Sequence, residues 1–304
     1  MDRGLTRGYP QDSLGVCPIP RSDAARPIGL ARFGPYGATM APPPKVTYAS
    51  YLDLDRLLAA QHPVSGAHDE LLFIVIHQAS ELWLKLCLHE LNAAREKIAA
   101  DDLRPAFKML SRVARAQGQL IASWDVLATM TPSDYSAVRP HLGASSGFQS
   151  AQYRMMEFIM GGRDPAHLAS HEDTPDVAAA LRAELARPSL YDEVLRLLAR
   201  RGLAIPREVL ERALAAPHAA SPAIEAAWAA VYAQPEARWD LYELAEKLVD
   251  LEYHFQRWRF GHLKTVERII GFKRGTGGTA GVPYLERVLG LGFFPELLSV
   301  RTAM

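Results

Sequence analysis

The stretch that decides the fold is residues 240–270, DLYELAEKLVDLEYHFQRWRFGHLKTVERII. Leu241, Leu244, Leu248, Leu251, Phe255 and Trp258 recur in it at steps of 3, 4, 3, 4 and 3. That spacing returns to one face of a 3.6-residue helix and does not match the two-residue period of a strand. No proline interrupts it, so the spacing predicts one long helix. The next step of four lands on His262, which puts an imidazole among large apolar side chains in a bundle interior. An unpaired polar group buried there costs about 1–3 kcal/mol. His262 therefore needs a partner: a backbone carbonyl, an acid or a metal.

Outward from this helix the helical pattern continues almost throughout. Residues 48–61, YASYLDLDRLLAAQ, place Leu52, Leu57 and Leu58 on one face. Residues 68–98 read as a long helix whose first turn carries Asp69 and Glu70, where the helix dipole favours acids. Its apolar residues cover most of the circumference, which predicts deep burial. Residues 103–130 read as another long helix, stopped by Thr131-Pro132, and residues 148–160 as a further one, stopped by Gly161-Gly162. Residues 163–235 hold shorter helices separated by six prolines and read as a helical excursion beside the main bundle. A Gly-rich loop, 271–282, and one last short helix complete the chain. No segment shows convincing alternation, so the predicted class is all-α: a multi-helix bundle with a pocket between long helices. Residues 1–45 are rich in Gly, Pro and Arg without periodicity. They read as a disordered tail, or as a start assigned too early with Met40 as the true start, before a single domain over 46–304.

Composition narrows the function classes. Lys plus Arg number 34 and Asp plus Glu 34, a balance that gives no electrostatic reason to expect nucleic acid or an anionic membrane. No stretch reaches the roughly 18 uncharged apolar residues of a membrane span. The N-terminus lacks the apolar core of a secretory signal. The two cysteines, Cys17 and Cys87, do not form a disulfide framework, and their usage fits a reducing cytoplasm.

Two histidines stand out for chemistry. His262 on spacing alone is most simply a hydrogen-bonded core residue, although a neutral axial histidine on a helix is also a usual way to hold haem iron. His77 lies on the same face as Phe73 and Ser80 of the 68–98 helix. Two interior histidines on two long helices are able to face each other across a flat cofactor. Conventional metal spacings and the G-x-S-x-G nucleophile motif are absent from the sequence. The run GTGGTA, residues 275–280, is close to a dinucleotide fingerprint but follows a helix rather than a strand, so that reading fails. Its glycines allow close backbone approach over a small ligand, with Thr276 offering a hydroxyl. Arg139, just before Pro140, is a surface cation or, if it points inward, a two-pronged clamp for a carboxylate.

Five motifs then carry a resemblance: TYASYLDLDRLLAAQHP (47–63), HDELLFIVIHQASELWLKLCLHEL (68–91), LATMTPSDYSAVRPHLGASSGFQS (127–150), WRFGHLKTVERIIGFKRGTGGTAGVPYL (258–285) and FPEL (294–297). In these the chain from Val46 onward resembles the tryptophan 2,3-dioxygenase family. The resemblance implies an all-helical, cytoplasmic homotetramer with one haem b per subunit. It also implies insertion of both atoms of O2 across the indole C2–C3 bond of L-tryptophan to give N-formyl-L-kynurenine, the first step of the kynurenine route. His262 matches the proximal iron ligand, and His77 the distal histidine that hydrogen-bonds the indole N–H. Phe73 and Leu142 match walls of the indole slot. Arg139 matches the carboxylate clamp with Tyr135 beside it, and Thr276 the contact to the ammonium. Trp124 and Ser146 match positions near the haem. Tyr48 and Tyr51 match the segment that reaches into a neighbouring subunit's site. None of these positions departs from the family pattern, and the histidine at 77 favours the tryptophan-specific branch over broader indoleamine oxidisers. A non-catalytic haem sensor and a cofactor-free scaffold are the competing classes. The first needs His262 but not Arg139, Tyr135 and Thr276 together, and the second needs none of them.

Overall fold

A computed structural model describes residues 46–278 and 280–304. The expectations for residues 1–45 lie outside the described residues. Thirteen α-helices are present among the described residues: α1 (Tyr48–Leu52), α2 (Leu54–Leu58), α3 (Glu70–Ala99), α4 (Leu103–Leu127), α5 (Pro132–Val138), α6 (Ala151–Met160), α7 (Pro175–Leu185), α8 (Leu190–Arg200), α9 (Arg207–Leu210), α10 (Pro222–Tyr232), α11 (Trp239–Ile270), α12 (Val282–Leu289) and α13 (Pro295–Ala303). Short 3-10 turns at Arg139–His141, Gly147–Gln149 and Pro165–His171 complete the described helical elements, and no strand occurs among them. The all-α expectation holds.

The core is an interlock of three long helices. On α3 the buried residues Leu84, Cys87, Leu91, Ala94 and Ile98 follow steps of 3, 4, 3 and 4. On α4, Leu103, Ala106, Leu110, Val113, Gln117 and Leu120 follow the same rhythm. On α11 the predicted stripe Leu241, Leu244, Leu248, Leu251 and Phe255 is buried. These faces meet as α3 packs on α4 and α4 on α11. Each such Leu or Phe contributes about 1.5–3 kcal/mol by leaving water. From the 163–235 stretch, α8 and α10 feed Leu195, Leu198, Trp228 and Val231 into this same core, whereas α7 packs Leu181 and Leu185 on Phe158.

Four expectations change. First, the helix expected over 48–61 is broken at Asp53, whose backbone turns left-handed (φ 50°) and separates α1 from α2. Leu52, Leu57 and Leu58 are then exposed, because the segment meets little of its own chain beyond hydrogen bonds between Gln61, Gln78 and the Ala60 carbonyl. Second, α3 is deeply buried only in its C-terminal half. Leu71, Val75, Leu82 and Trp83 are exposed, since no helix among the described residues covers this face. Third, α3 is long and apolar enough to cross a membrane by length and composition, the one such helix among the described residues. It nonetheless carries buried Glu90 and the buried Arg95–Glu184 ion pair in its packed half. Fourth, the last helix is two. The Gly290–Phe294 turn parts α12 from α13, and the buried Glu252 carboxylate of α11 accepts the Phe293 and Phe294 N–H groups at 2.7 and 3.1 Å. That carboxylate satisfies donors at the start of α13, where the helix dipole favours an anion.

Truncating the stripe tests the interlock. Leu248→Ala leaves a cavity at a fully buried position and is expected to lower unfolding stability by about 2–5 kcal/mol, read as a lowered denaturant midpoint with unchanged slope.

Candidate functional site

The stripe on α11 opens where it reaches the site. Phe255 is buried, but Trp258 and His262 are only half-buried, so His262 sits at the edge of the core rather than sealed inside it. Its ring lies flat on Trp124 of α4, centroids 4.8 Å apart and planes 6° from parallel. Trp258 packs on both, at 5.3 Å from Trp124 and 5.5 Å from His262. Neither nitrogen of His262 hydrogen-bonds any described residue. Burial pulls its pKa from 6.5 to about 4, and any proton on His77 would disfavour a second charge here as well. The ring is thus neutral near pH 7.

On α3, the His77 Nδ1 lies 2.7 Å from the Phe73 carbonyl one turn back. A carbonyl only accepts, so Nδ1 carries the proton and Nε2 of the neutral ring is left as an acceptor. Burial lowers the His77 pKa and keeps the ring neutral. Phe73 packs against His77 at 4.2 Å and faces Tyr135 at 6.2 Å. Phe73, Trp124, Tyr135 and Leu142 belong to one apolar cluster with Leu127, Met130 and Ile269, separate from the main core. Four predicted residues from three parts of the sequence therefore share one wall. Burial raises the Tyr135 pKa, so its hydroxyl stays protonated.

Two loops close this wall. The capping box of Thr131 and Asp134 starts α5, which leads into the 3-10 turn at Arg139. Arg139 donates through Nη2 to the Arg274 carbonyl at 2.7 Å, while its buried Nη1 has no partner among the described residues. Thr276 donates to the Ser145 carbonyl at 2.6 Å. Ser146 caps the next turn by accepting from the Phe148 N–H. Gly277 rests on Ser146 so closely that a Cβ would come within 2.6 Å of it. The Gly-rich segment thus lies over the 139–149 loop and ties Arg139, Thr276 and Ser146 together. A cavity of about 280 Å³ opens beside them, bounded by Tyr135, Arg139, Ile269, Gly271 and Lys273. Tyr48 and Tyr51 are not brought to this place: both are 77% exposed on their own chain.

The protein-family model for tryptophan 2,3-dioxygenase matches residues 41–304. The chain belongs to the tryptophan 2,3-dioxygenase family. A family relative named tryptophan 2,3-dioxygenase from Erythrobacter litoralis is 77% identical over 259 residues, covering 85% of this chain and 98% of its own. One of the same name from Cupriavidus necator is 54% identical over 288 residues, covering 94% and 97%. Another, from Bradyrhizobium diazoefficiens, is 56% identical over 260 residues, covering 86% and 93%.

Sequence reading of this family member missed Gly261 and the second role of Trp258. A Cβ at Gly261 would fall 2.6 Å from Trp124 Cδ1, and a residue's role as empty space leaves no trace in an apolar period. It also missed Glu81, one turn beyond His77. Its carboxylate accepts from Ser150 Oγ at 2.6 Å and Gln152 Nε2 at 2.7 Å, joining α3 to the start of α6.

The lowered His262 pKa makes a pH prediction. Between about pH 6.5 and about 4 the unfolded chain takes a proton on this ring and the native chain does not. Native stability of the haem-free chain therefore falls as pH falls through that window and is regained above it. Thermal melting in matched buffers should show this slope, and His262→Gln should make it shallower.

Proposed function

We propose that this chain is a haem-dependent dioxygenase that inserts both atoms of O2 across the indole C2–C3 bond of L-tryptophan, giving N-formyl-L-kynurenine. This is the first step of tryptophan degradation by the kynurenine route. The observation that carries the proposal is the pair of neutral histidines, one on α3 and one on α11. His262 has both ring nitrogens unengaged by described residues, and His77 presents Nε2 as an acceptor. The family membership supplies the reaction.

The residues present fit a haem b. Among the described residues no three His, Cys, Asp or Glu side chains gather as a metal cage. A porphyrin brings four nitrogens of its own, so one imidazole suffices as its protein ligand, and His262 takes that part. Trp124, with its Nε1 buried and unpartnered, and Ser146 would line the group's edge. When bound in its ferrous form, haem supplies the electronic route by which triplet O2 reacts with a closed-shell indole.

The chain's own residues bind and orient the substrate. Phe73 and Leu142 form an apolar slot for the indole. Nε2 of His77 accepts the indole N–H, which fixes the ring's angle and holds that proton in place. The unpartnered Nη1 of Arg139 is a free donor for the substrate carboxylate, with the Tyr135 hydroxyl beside it. Thr276 serves the ammonium from the opposite loop. Such paired polar contacts reject tryptamine and indolepropionate, each lacking one charge, by about a hundredfold or more. A haem sensor has no use for this zwitterion clamp. We place the chain in the cytoplasm as a homotetramer, acting on L-tryptophan and O2 without nucleic acid or membrane. Tyr48 and Tyr51, exposed on their own chain, would complete a neighbouring subunit's site.

The test is expression with a haem precursor, reduction, and addition of L-tryptophan in air, followed by the absorbance of N-formylkynurenine. A haem spectrum without product contradicts catalysis, and no haem contradicts the site. His262→Ala is expected to lose the histidine-ligated spectrum. His77→Ala should keep haem and slow turnover by about one to three orders of magnitude, a span that includes the usual worth of a positioned acid–base group. Arg139→Leu should raise KM for L-tryptophan far more than for tryptamine, which has no carboxylate to clamp.

A further inference from the structure

Two α-helical histidines in this chain hold their rings by a hydrogen bond. His77 Nδ1 meets the Phe73 carbonyl at 2.7 Å, and His254 Nδ1 meets the Asp250 carbonyl at 2.8 Å, each one turn back on its own helix. His262 makes no such bond to Trp258 or to any other described residue. Metal-ligating histidines are commonly held in place by a hydrogen bond from the second ring nitrogen. Here another constraint fills that place.

Two aromatic rings among the described residues pack on the His262 ring, Trp124 and Trp258. Trp124 lies parallel to it, at 4.8 Å and 6°. Trp258 packs beside both rings, 5.5 Å and 41° from His262 and 5.3 Å from Trp124. Tyr153 of α6 backs Trp258 at 5.0 Å, so the stack is anchored on a third helix. Trp124 reaches its position across the α11 backbone at Gly261. Its Cδ1, Cγ and Nε1 atoms would lie 2.6, 3.3 and 3.4 Å from a Cβ there. An indole is rigid, and Trp124 is held in mutual contact with the Trp258 and His262 rings. No side chain at 261 is compatible with this stack unless Trp124 moves.

We propose that Gly261 and Trp124 are positioning residues for the reaction, fixing the plane of the His262 imidazole by stacking rather than by hydrogen bonding. This rests on the reading of His262 as the axial ligand. Gly261 contributes the missing Cβ, α4 contributes the plate, and the imidazole plane is locked to the α4–α11 packing. A ring held this way keeps its orientation without a strong acceptor on its second nitrogen. Its orientation then depends on the shape of the neighbouring core.

The test separates plane from volume. In the haem-loaded chain, the ferric cyanide adduct has one imidazole whose plane sets the g-anisotropy in electron paramagnetic resonance. Trp124→Phe keeps a flat ring and should retain the wild-type spectrum. Trp124→Leu and Gly261→Ala should keep haem but shift and broaden it. A wild-type spectrum from both Trp124→Leu and Gly261→Ala overturns the proposal, as does an equal shift from Trp124→Phe and Trp124→Leu. If Gly261→Ala fails to fold, the two Trp124 variants still decide. In the haem-free wild-type chain, the His262 ring protons should be shifted upfield by Trp124 and return toward ordinary values in Trp124→Leu; unshifted wild-type protons overturn the stacking independently of haem. Failure of the ligand reading itself looks different: His262→Ala would then keep the wild-type haem spectrum.

Discussion

Burial of one apolar stripe along α11 is the constraint on which the rest of the structure depends. Five large side chains, Leu241 to Phe255, are taken out of water against α4 and the elements around it. This fixes the helix in rotation as well as position, because turning it by one residue would expose the stripe and bury Glu and Lys. Fixed rotation is what aims Trp258 and His262. Phe255 is the last member of the stripe inside the main core, so the next two, Trp258 and His262, fall at its edge, half-buried. The same packing that stabilises the bundle thus delivers an imidazole to a chosen depth.

The opposite wall is built by a different economy. The N-terminal half of α3 is not committed to the core of its own chain, and this leaves Phe73 and His77 available to a ligand. The closing side comes from loops, where polar side chains reach carbonyls rather than each other: Arg139 to Arg274, and Thr276 to Ser145. Such bonds position a guanidinium without neutralising it. The charge on Arg139 and its unpartnered Nη1 stay available for an anion. Rigid helices hold the two histidines, and adaptable loops hold the groups that would grip the polar end of a substrate.

Much of this was legible in the sequence, for reasons that differ by residue. The α11 stripe and the burial of α3 beyond Leu84 follow from periodicity, because a helix in a core has one way to hide its apolar face. The gathering of Phe73, Trp124, Tyr135 and Leu142 came from family motifs, since no spacing rule links residues on separate elements. The break at Asp53 was hidden, because nothing in the Leu52 to Leu58 pattern signals a left-handed residue. The exposure of Leu71 and Val75 was hidden too, since an apolar face reads the same whether its own chain covers it or not. Gly261 was invisible for the opposite reason. Its contribution is an absent atom, and only coordinates show that Trp124 occupies the space.

The central claim is that this site joins both atoms of one O2 molecule to tryptophan at an iron held by His262. Reaction of the reduced, haem-loaded chain with L-tryptophan under isotopically labelled O2 in ordinary water tests it most directly. The account predicts N-formylkynurenine carrying two labelled oxygen atoms from the wild-type chain and none from His262→Ala. Product with a single labelled atom, or doubly labelled product formed equally well by His262→Ala, would contradict it.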